Sequence, residues 1–267
     1  MTRVAVLRME GTNNEQDMHR AFAEAGGDPA YVHIKQLTDR VPETQQVDLL
    51  DYDVLALPGG FSAGDYVRAG AIFAARLEAQ AGEALQAFHE DERPIVGVCN
   101  GFQVLVELGL LPGDDGDEAA EPEAALTMNA SDHYECRPSL LEASETNCPF
   151  LEPYEGEDAV VFPSAHAEGR LELPRVEDLD ELADRGQVAF RYTGPEGSSE
   201  YPWNPNGSPG DVAALTDPTG TVLGIMPHPD RAVHAWQHPD WTRGRDPEAR
   251  GDGLALFEAI VDHAGGA

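Results

Sequence analysis

Through roughly the first 110 residues, short apolar runs alternate with stretches of helical spacing. RVAVLRM (3–9), YVHIKQ (31–36), YDVLALPGG (52–60) and PIVGVC (94–99) read as strands. NEQDMHRAFAEAG (14–26), AIFAARLEAQAGEALQAF (71–88) and GFQVLVELG (101–109) read as helices, with Met18, Ala21, Phe22 and Ala25 spaced along one face of the first. Strands joined through helices pair in parallel, and strands this continuously apolar are covered on both faces. Right-handed crossovers then give a doubly wound sheet. The expected fold is therefore α/β, a mostly parallel sheet flanked by helices. Such sheets bind ligands at the carboxyl ends of their strands, which directs attention to the turns PGGF (58–61) and GVCNG (97–101).

The second half is richer in strands: LTMNAS, YECRPSLLEA, AVVFPSA, VAFRYT, VAALTD and TVLGIM, with helices at VEDLDELADRG (176–186) and GLALFEAIVDHA (253–264). GDDGDEAAEPEAA (113–125) reads as an exposed acidic loop, and 194–210 and 234–252 as long turn-rich loops. No repeat or linker divides the chain, so one domain over 1–267 is expected.

The formal net charge is −32, and Lys35 is the single lysine among 17 Lys and Arg residues. Phosphate backbones and anionic membranes are bound by cations, so neither nucleic acid nor membrane is an expected partner. Disorder requires low hydrophobicity, whereas 41% of these residues are hydrophobic. Near-absence of lysine beside so many carboxylates points to a salt-rich cytoplasm, where screening removes self-repulsion. Cys99, Cys136 and Cys148 form no CxxC pair and are odd in number, which suits a reducing compartment and argues against a zinc site. The opening strand pattern lacks the layout of a signal peptide, and no run approaches the ~20 apolar residues of a membrane helix.

Gly97-Val98-Cys99-Asn100-Gly101 has the form of a nucleophile elbow between strand and helix. Glycines on either side allow a tight turn, and the following helix N-terminus favours a thiolate. The backbone N–H of Asn100 is placed to donate to an oxyanion. A buried structural cysteine is the plainer reading, which the paired glycines and the strand–helix setting outweigh. A thiolate needs a proton shuttle. His228, in MPHPD after the strand TVLGIM, is the candidate, with Asp230 two residues on to orient the ring. The competing reading is a proline-rich surface turn. Gly59-Gly60-Phe61 offers backbone amides at a second strand end, although such a turn is weak evidence alone. His166 and Glu168 share one side of the chain if it is extended, Asn204–Gly207 reads as a turn, and Cys136 as a packing residue inside a strand.

Taken together, GVCNGFQ, PGGFSAGDYVRAG (58–70) and PHPDRAV (227–233) resemble class I glutamine amidotransferases. RMEGTNNE, GLLPG, YECRPS, HAEGR, NPNGS and DGLALFEAI follow in the same order as in the glutaminase subunits of phosphoribosylformylglycinamidine synthases. The resemblance spans nearly the whole chain. It implies a flavodoxin-like sheet and attack of Cys99 on the glutamine amide. The oxyanion would be held by amides around Gly60, Phe61 and Asn100, with His228 protonating ammonia and Gln103 near bound glutamine. It implies no cofactor in this chain. ATP and magnesium would be used by a large synthetase subunit that makes formylglycinamidine ribonucleotide for purine biosynthesis, bridged by a third, small subunit. It also implies that glutaminase activity awaits docking of the synthetase. The sequence does not show the docking surface, for which His166, Arg68 and the 194–210 loop are candidates. Asp230 stands where the family usually has glutamate, and HAEG where it usually has HGEG. A related cysteine amidase, or an amidotransferase serving another synthetase, would keep the elbow but has no reason to keep PGGFSAGDYVRAG and NPNGS. A scaffold subunit without catalysis has no reason to keep both Cys99 and His228.

Overall fold

A computed structural model describes residues 1–113, 124–175, 177–243 and 246–266. The acidic segment 113–125 therefore lies, apart from Gly113, Ala124 and Ala125, outside the described residues. In chain order the regular elements are β1 (Arg3–Arg8), α1 (Glu15–Glu24), β2 (Asp28–His33), β3 (Val54–Leu57), α2 (Ala71–Glu90), β4 (Ile95–Val98) and α3 (Asn100–Glu107). There follow β5 (Ala125–Thr127), β6 (Glu135–Ala143), β7 (Val160–His166), β8 (Arg170–Glu172), α4 (Glu177–Asp184), β9 (Val188–Thr193), β10 (Val212–Thr216), β11 (Val222–Ile225) and α5 (Leu254–Gly265).

One nine-stranded sheet runs in the order β2-β1-β3-β4-β11-β10-β9-β6-β7. From β2 to β11 every pairing is parallel. Val4 to Leu7, Val54 to Leu57 and Ile95 to Val98 are buried throughout, as strands covered on both faces must be. Two helix pairs flank the sheet, α1 with α5 and α2 with α3. Phe22 of α1 meets Phe257 of α5 edge to face at 5.0 Å. The doubly wound expectation holds in this half. The strand-rich second half extends the same sheet in antiparallel fashion through β10, β9, β6 and β7. On that extension Phe162 of β7, Phe190 of β9 and Tyr154 pack edge to face on one another.

Three local expectations change. The second strand covers Asp28–His33 rather than 31–36, because the chain turns into a 3-10 helix at Ile34–Leu37. The His33 ring accepts the Lys35 amide at 3.1 Å and Gln36 Oε1 accepts the His33 amide at 2.9 Å, a reciprocal cap that stops the strand. HAEGR is extended only at its ends: His166 ends β7, and Arg170 begins β8, which pairs with β5. Cys136 is exposed rather than packed. Among the described residues no helix is long and apolar enough to cross a membrane.

Candidate active site

The elbow forms where β4 and α3 meet. Cys99 sits at φ 52°, ψ −106°, a conformation costly for a residue with a Cβ. Its amide donates to the Ile225 carbonyl at 2.8 Å, and its carbonyl accepts from Gln103 at 3.1 Å. The residue is thereby tied to β11 on one side and to the first turn of α3 on the other. Glycine is needed at both flanks for closeness. A Cβ on Gly97 would lie 2.5 Å from the Gly101 carbonyl, and one on Gly101 would run into the Leu57 carbonyl of β3. Sγ lies at the N-terminus of α3, 3.5 Å from the Ala165 carbonyl of β7.

Beside the sulfur stands His228, 1% exposed, on the turn that follows β11. Its amide donates to the Pro163 carbonyl at 2.8 Å, so β7 contacts both Cys99 and His228. His228 Nδ1 lies 3.2 Å from Asp230 Oδ1, and the carboxylate is equally buried. Burial works against charge on the ring. The Asp230 carboxylate, the charge on Cys99 and hydrogen bonds to both outweigh it, and His228 is pushed up to about 9. An imidazolium beside a thiolate is the state required to protonate a leaving amine. The 3-10 turn Pro229–Arg231 holds the Asp230 carboxylate within reach of the ring.

Gly59 and Gly60 close the site from β3. A Cβ on Gly59 would lie 2.7 Å from His228 Cε1 and 3.3 Å from Cys99 Cβ, so all three segments converge here. Phe61 departs from the expectation. Its amide is committed to the Gly11 carbonyl at 3.1 Å and does not face an oxyanion. The amides of Gly60 and Asn100 carry no such commitment among the described residues.

Gln103 is buried one turn below the sulfur. Its Oε1 accepts from Asn100 Nδ2 at 2.9 Å, and its Nε2 donates to the Glu168 carbonyl at 2.6 Å. Asn100 Oδ1 accepts from the Ser62 hydroxyl at 2.7 Å, and Glu168 Oε2 accepts from the Ala69 amide at 3.0 Å. The loop after β3, the start of α3 and the turn after β7 are thus sewn together around the pocket. Burial, and then the charge of Glu168, push Asp65 up to about 6, against a hydrogen bond from Asn100. Ser62 and Asp65 lie inside PGGFSAGDYVRAG, where no local pattern distinguishes them from their neighbours.

His166 is 3% exposed, which removes it from the candidate docking contacts. Its Nδ1 meets Asn129 Oδ1 at 3.0 Å. Asn129 Nδ2 donates to the His133 and His166 carbonyls, so Oδ1 is the acceptor and the ring is protonated at Nδ1. Burial, and then the positive charge of His228, push His166 down to about 3 and keep it neutral. Asn129 also accepts from the Gly169 amide at 3.1 Å, fixing the turn that carries Glu168. No sequence signal marked Asn129. Arg68 remains exposed but is held by Glu107 in a two-pronged ion pair. In the 194–210 loop, Asn204, Asn206 and Ser208 are buried, and Asn206 donates to the Gly169 carbonyl and the Tyr192 hydroxyl.

A buried cysteine on a strained elbow, beside a histidine and a carboxylate, is an arrangement suited to nucleophilic attack on an acyl carbon. A family model described as a CobB/CobQ-like glutamine amidotransferase domain matches residues 1–264. The chain belongs to that glutamine amidotransferase family. Within it, the chain is 46% identical to the phosphoribosylformylglycinamidine synthase subunit PurQ of Archaeoglobus fulgidus, over 98% of this chain and 96% of that protein. The subunit of the same name from Picrophilus torridus is 42% identical over 97% of this chain and 98% of its own length. Among solved structures, a chain of PurLQS from Thermotoga maritima aligns over 98% of both chains with TM-score 0.72 and 28% identity.

Proposed function

We propose that this chain hydrolyses glutamine to glutamate and ammonia. The ammonia goes to a synthetase subunit that converts formylglycinamide ribonucleotide to formylglycinamidine ribonucleotide. The observation that carries the reading is the contact of Cys99 with a buried, charge-stabilised His228–Asp230 pair at the end of the parallel sheet. The Cys99 thiolate attacks the side-chain carbonyl carbon, forming a C–S bond and an oxyanion that the Gly60 and Asn100 amides receive. His228 gives its proton to the amide nitrogen, the C–N bond breaks, and neutral ammonia leaves a glutamyl thioester. Water then adds to the thioester and gives a proton to His228. The C–S bond breaks, releasing glutamate and restoring the thiolate. Gln103, fixed by Asn100 and Glu168, lines the glutamine pocket.

The chemistry assigned to this chain uses no cofactor. ATP and magnesium belong to the synthetase, and a small third subunit bridges the two. The relative named PurLQS supports an assembly of this kind. The same reading places the protein in a cytoplasm, and the charge of −32 with one lysine suits a salt-rich one. The test reconstitutes the complex and compares Cys99→Ala with the parent. Amidine formation from glutamine is expected to vanish in the variant, while formation from free ammonia persists. Glutamine-dependent synthesis retained by Cys99→Ala would rule the mechanism out.

A further inference from the structure

The loop that carries Gly60 runs on to Tyr66 and Val67, which are 88% and 74% exposed. Beyond Val67 a groove of about 490 Å³ opens along the first half of α2. Its apolar lining comes from Val67, Ile72 and alanines of α2, and its charges come from Arg40 and Arg76. Among the described residues no carboxylate lines it, although the chain carries 49 acidic residues against 17 basic ones. Arg76 shares Glu10 with Lys35, at 3.1 and 2.8 Å. The Arg40 guanidinium forms no ion pair among the described residues and stands exposed. Apolar surface flanked by arginines is a composition enriched in protein interfaces. At molar salt only charges in contact range act strongly, so a partner's carboxylates find their complement where Arg40 and Arg76 flank apolar surface.

We infer that this groove is the docking site for an acidic amphipathic segment of the synthetase-side partner. The segment would lay apolar side chains over Val67 and Ile72 and set carboxylates against Arg40 and Arg76. The inference rests on the reading above that this chain delivers ammonia to a synthetase. The groove joins the catalytic centre through one loop. Between Gly60 and Val67 the backbone holds Ala63, Gly64 and Asp65 at φ 52°, 69° and 52°, and Asp65 accepts from Asn100 beside the nucleophile. A partner seated on Val67 therefore bears on the loop whose other end presents the Gly60 amide.

The test uses the full chain and the purified synthetase subunits in molar potassium chloride, with Arg40→Glu, Val67→Asp and the double variant. Affinity for the synthetase is expected to fall about tenfold or more in the double variant. Melting temperature and Cys99 labelling by a glutamine analogue in the isolated chain are expected to match the parent. In the unaltered complex, backbone amides of 66–80 gain protection from hydrogen exchange. Undiminished affinity in a folded double variant, or no protection at 66–80 in the parent complex, overturns the inference. So does self-association of the isolated chain that the double variant abolishes, which would give the groove to a second copy. A parent chain that neither binds the synthetase nor supports glutamine-dependent synthesis defeats the functional reading instead.

Discussion

A single proline separates His228 from Asp230, and its fixed φ holds the turn that lets a short carboxylate reach the imidazole at 3.2 Å. The charge balance at His228 decides its protonation. Its folded pKa, about 9, lies above the ordinary histidine value, so the imidazolium persists through neutrality and is lost as pH rises past about 9. Acylation that needs this proton is therefore expected to fall along an alkaline limb near that pH. Removing the Asp230 charge takes away the largest influence that raises it. Asp230→Ala is expected to lower glutaminase turnover and move the limb to lower pH, while alkylation of Cys99 by a glutamine analogue persists. A pH profile of kcat/KM checks this, and an unmoved limb would deny Asp230 its orienting role.

The β4–α3 junction is a single mechanical element. Gly101 lets the first turn of α3 pass against the Leu57 carbonyl, and that closeness aims the helix N-terminus at Sγ. Gly101→Ala is expected to destabilise the fold by about 1–3 kcal/mol, the range for overpacking a tight site, and to depress turnover by displacing Cys99. Urea denaturation with glutaminase assays checks both, and a variant matching the parent would show that the junction tolerates separation. This element was legible from its sequence because its determinants are adjacent: two glycines, a cysteine, an apolar run before and a helical pattern after. The oxyanion partners were less so. The amide of Phe61 is taken by Gly11, about fifty positions earlier, and no local pattern announces that bond.

The charge acts on the whole molecule. Forty-nine acidic residues against 17 basic ones repel one another over tens of ångströms in dilute salt, and over a few ångströms at molar salt. The fold is expected to loosen when salt is removed, with a lower melting temperature in millimolar than in molar potassium chloride. Equal melting temperatures would refute salt adaptation as the reason for the charge. The buried stretches Val4–Leu7, Val54–Leu57 and Ile95–Val98 have no part in this dependence, since they carry no charge. The ion pairs are mostly at the surface, where screening limits each to roughly 0–1 kcal/mol.

The chain's local order determined the strand–helix alternation, the elbow at Cys99, the HPD turn at His228 and the acidic surface. Each is written in consecutive residues whose backbone preferences and periodicity act at short range. Tertiary structure decided how β7 comes to touch both Cys99, through Ala165, and His228, through Pro163. It decided that His166 is buried and neutral, that Glu168 braces Gln103, and that Phe61 withholds its amide. These features depend on contacts between segments dozens of residues apart. Which donor meets which acceptor there is set by the closure of the whole sheet, after local preferences have been satisfied.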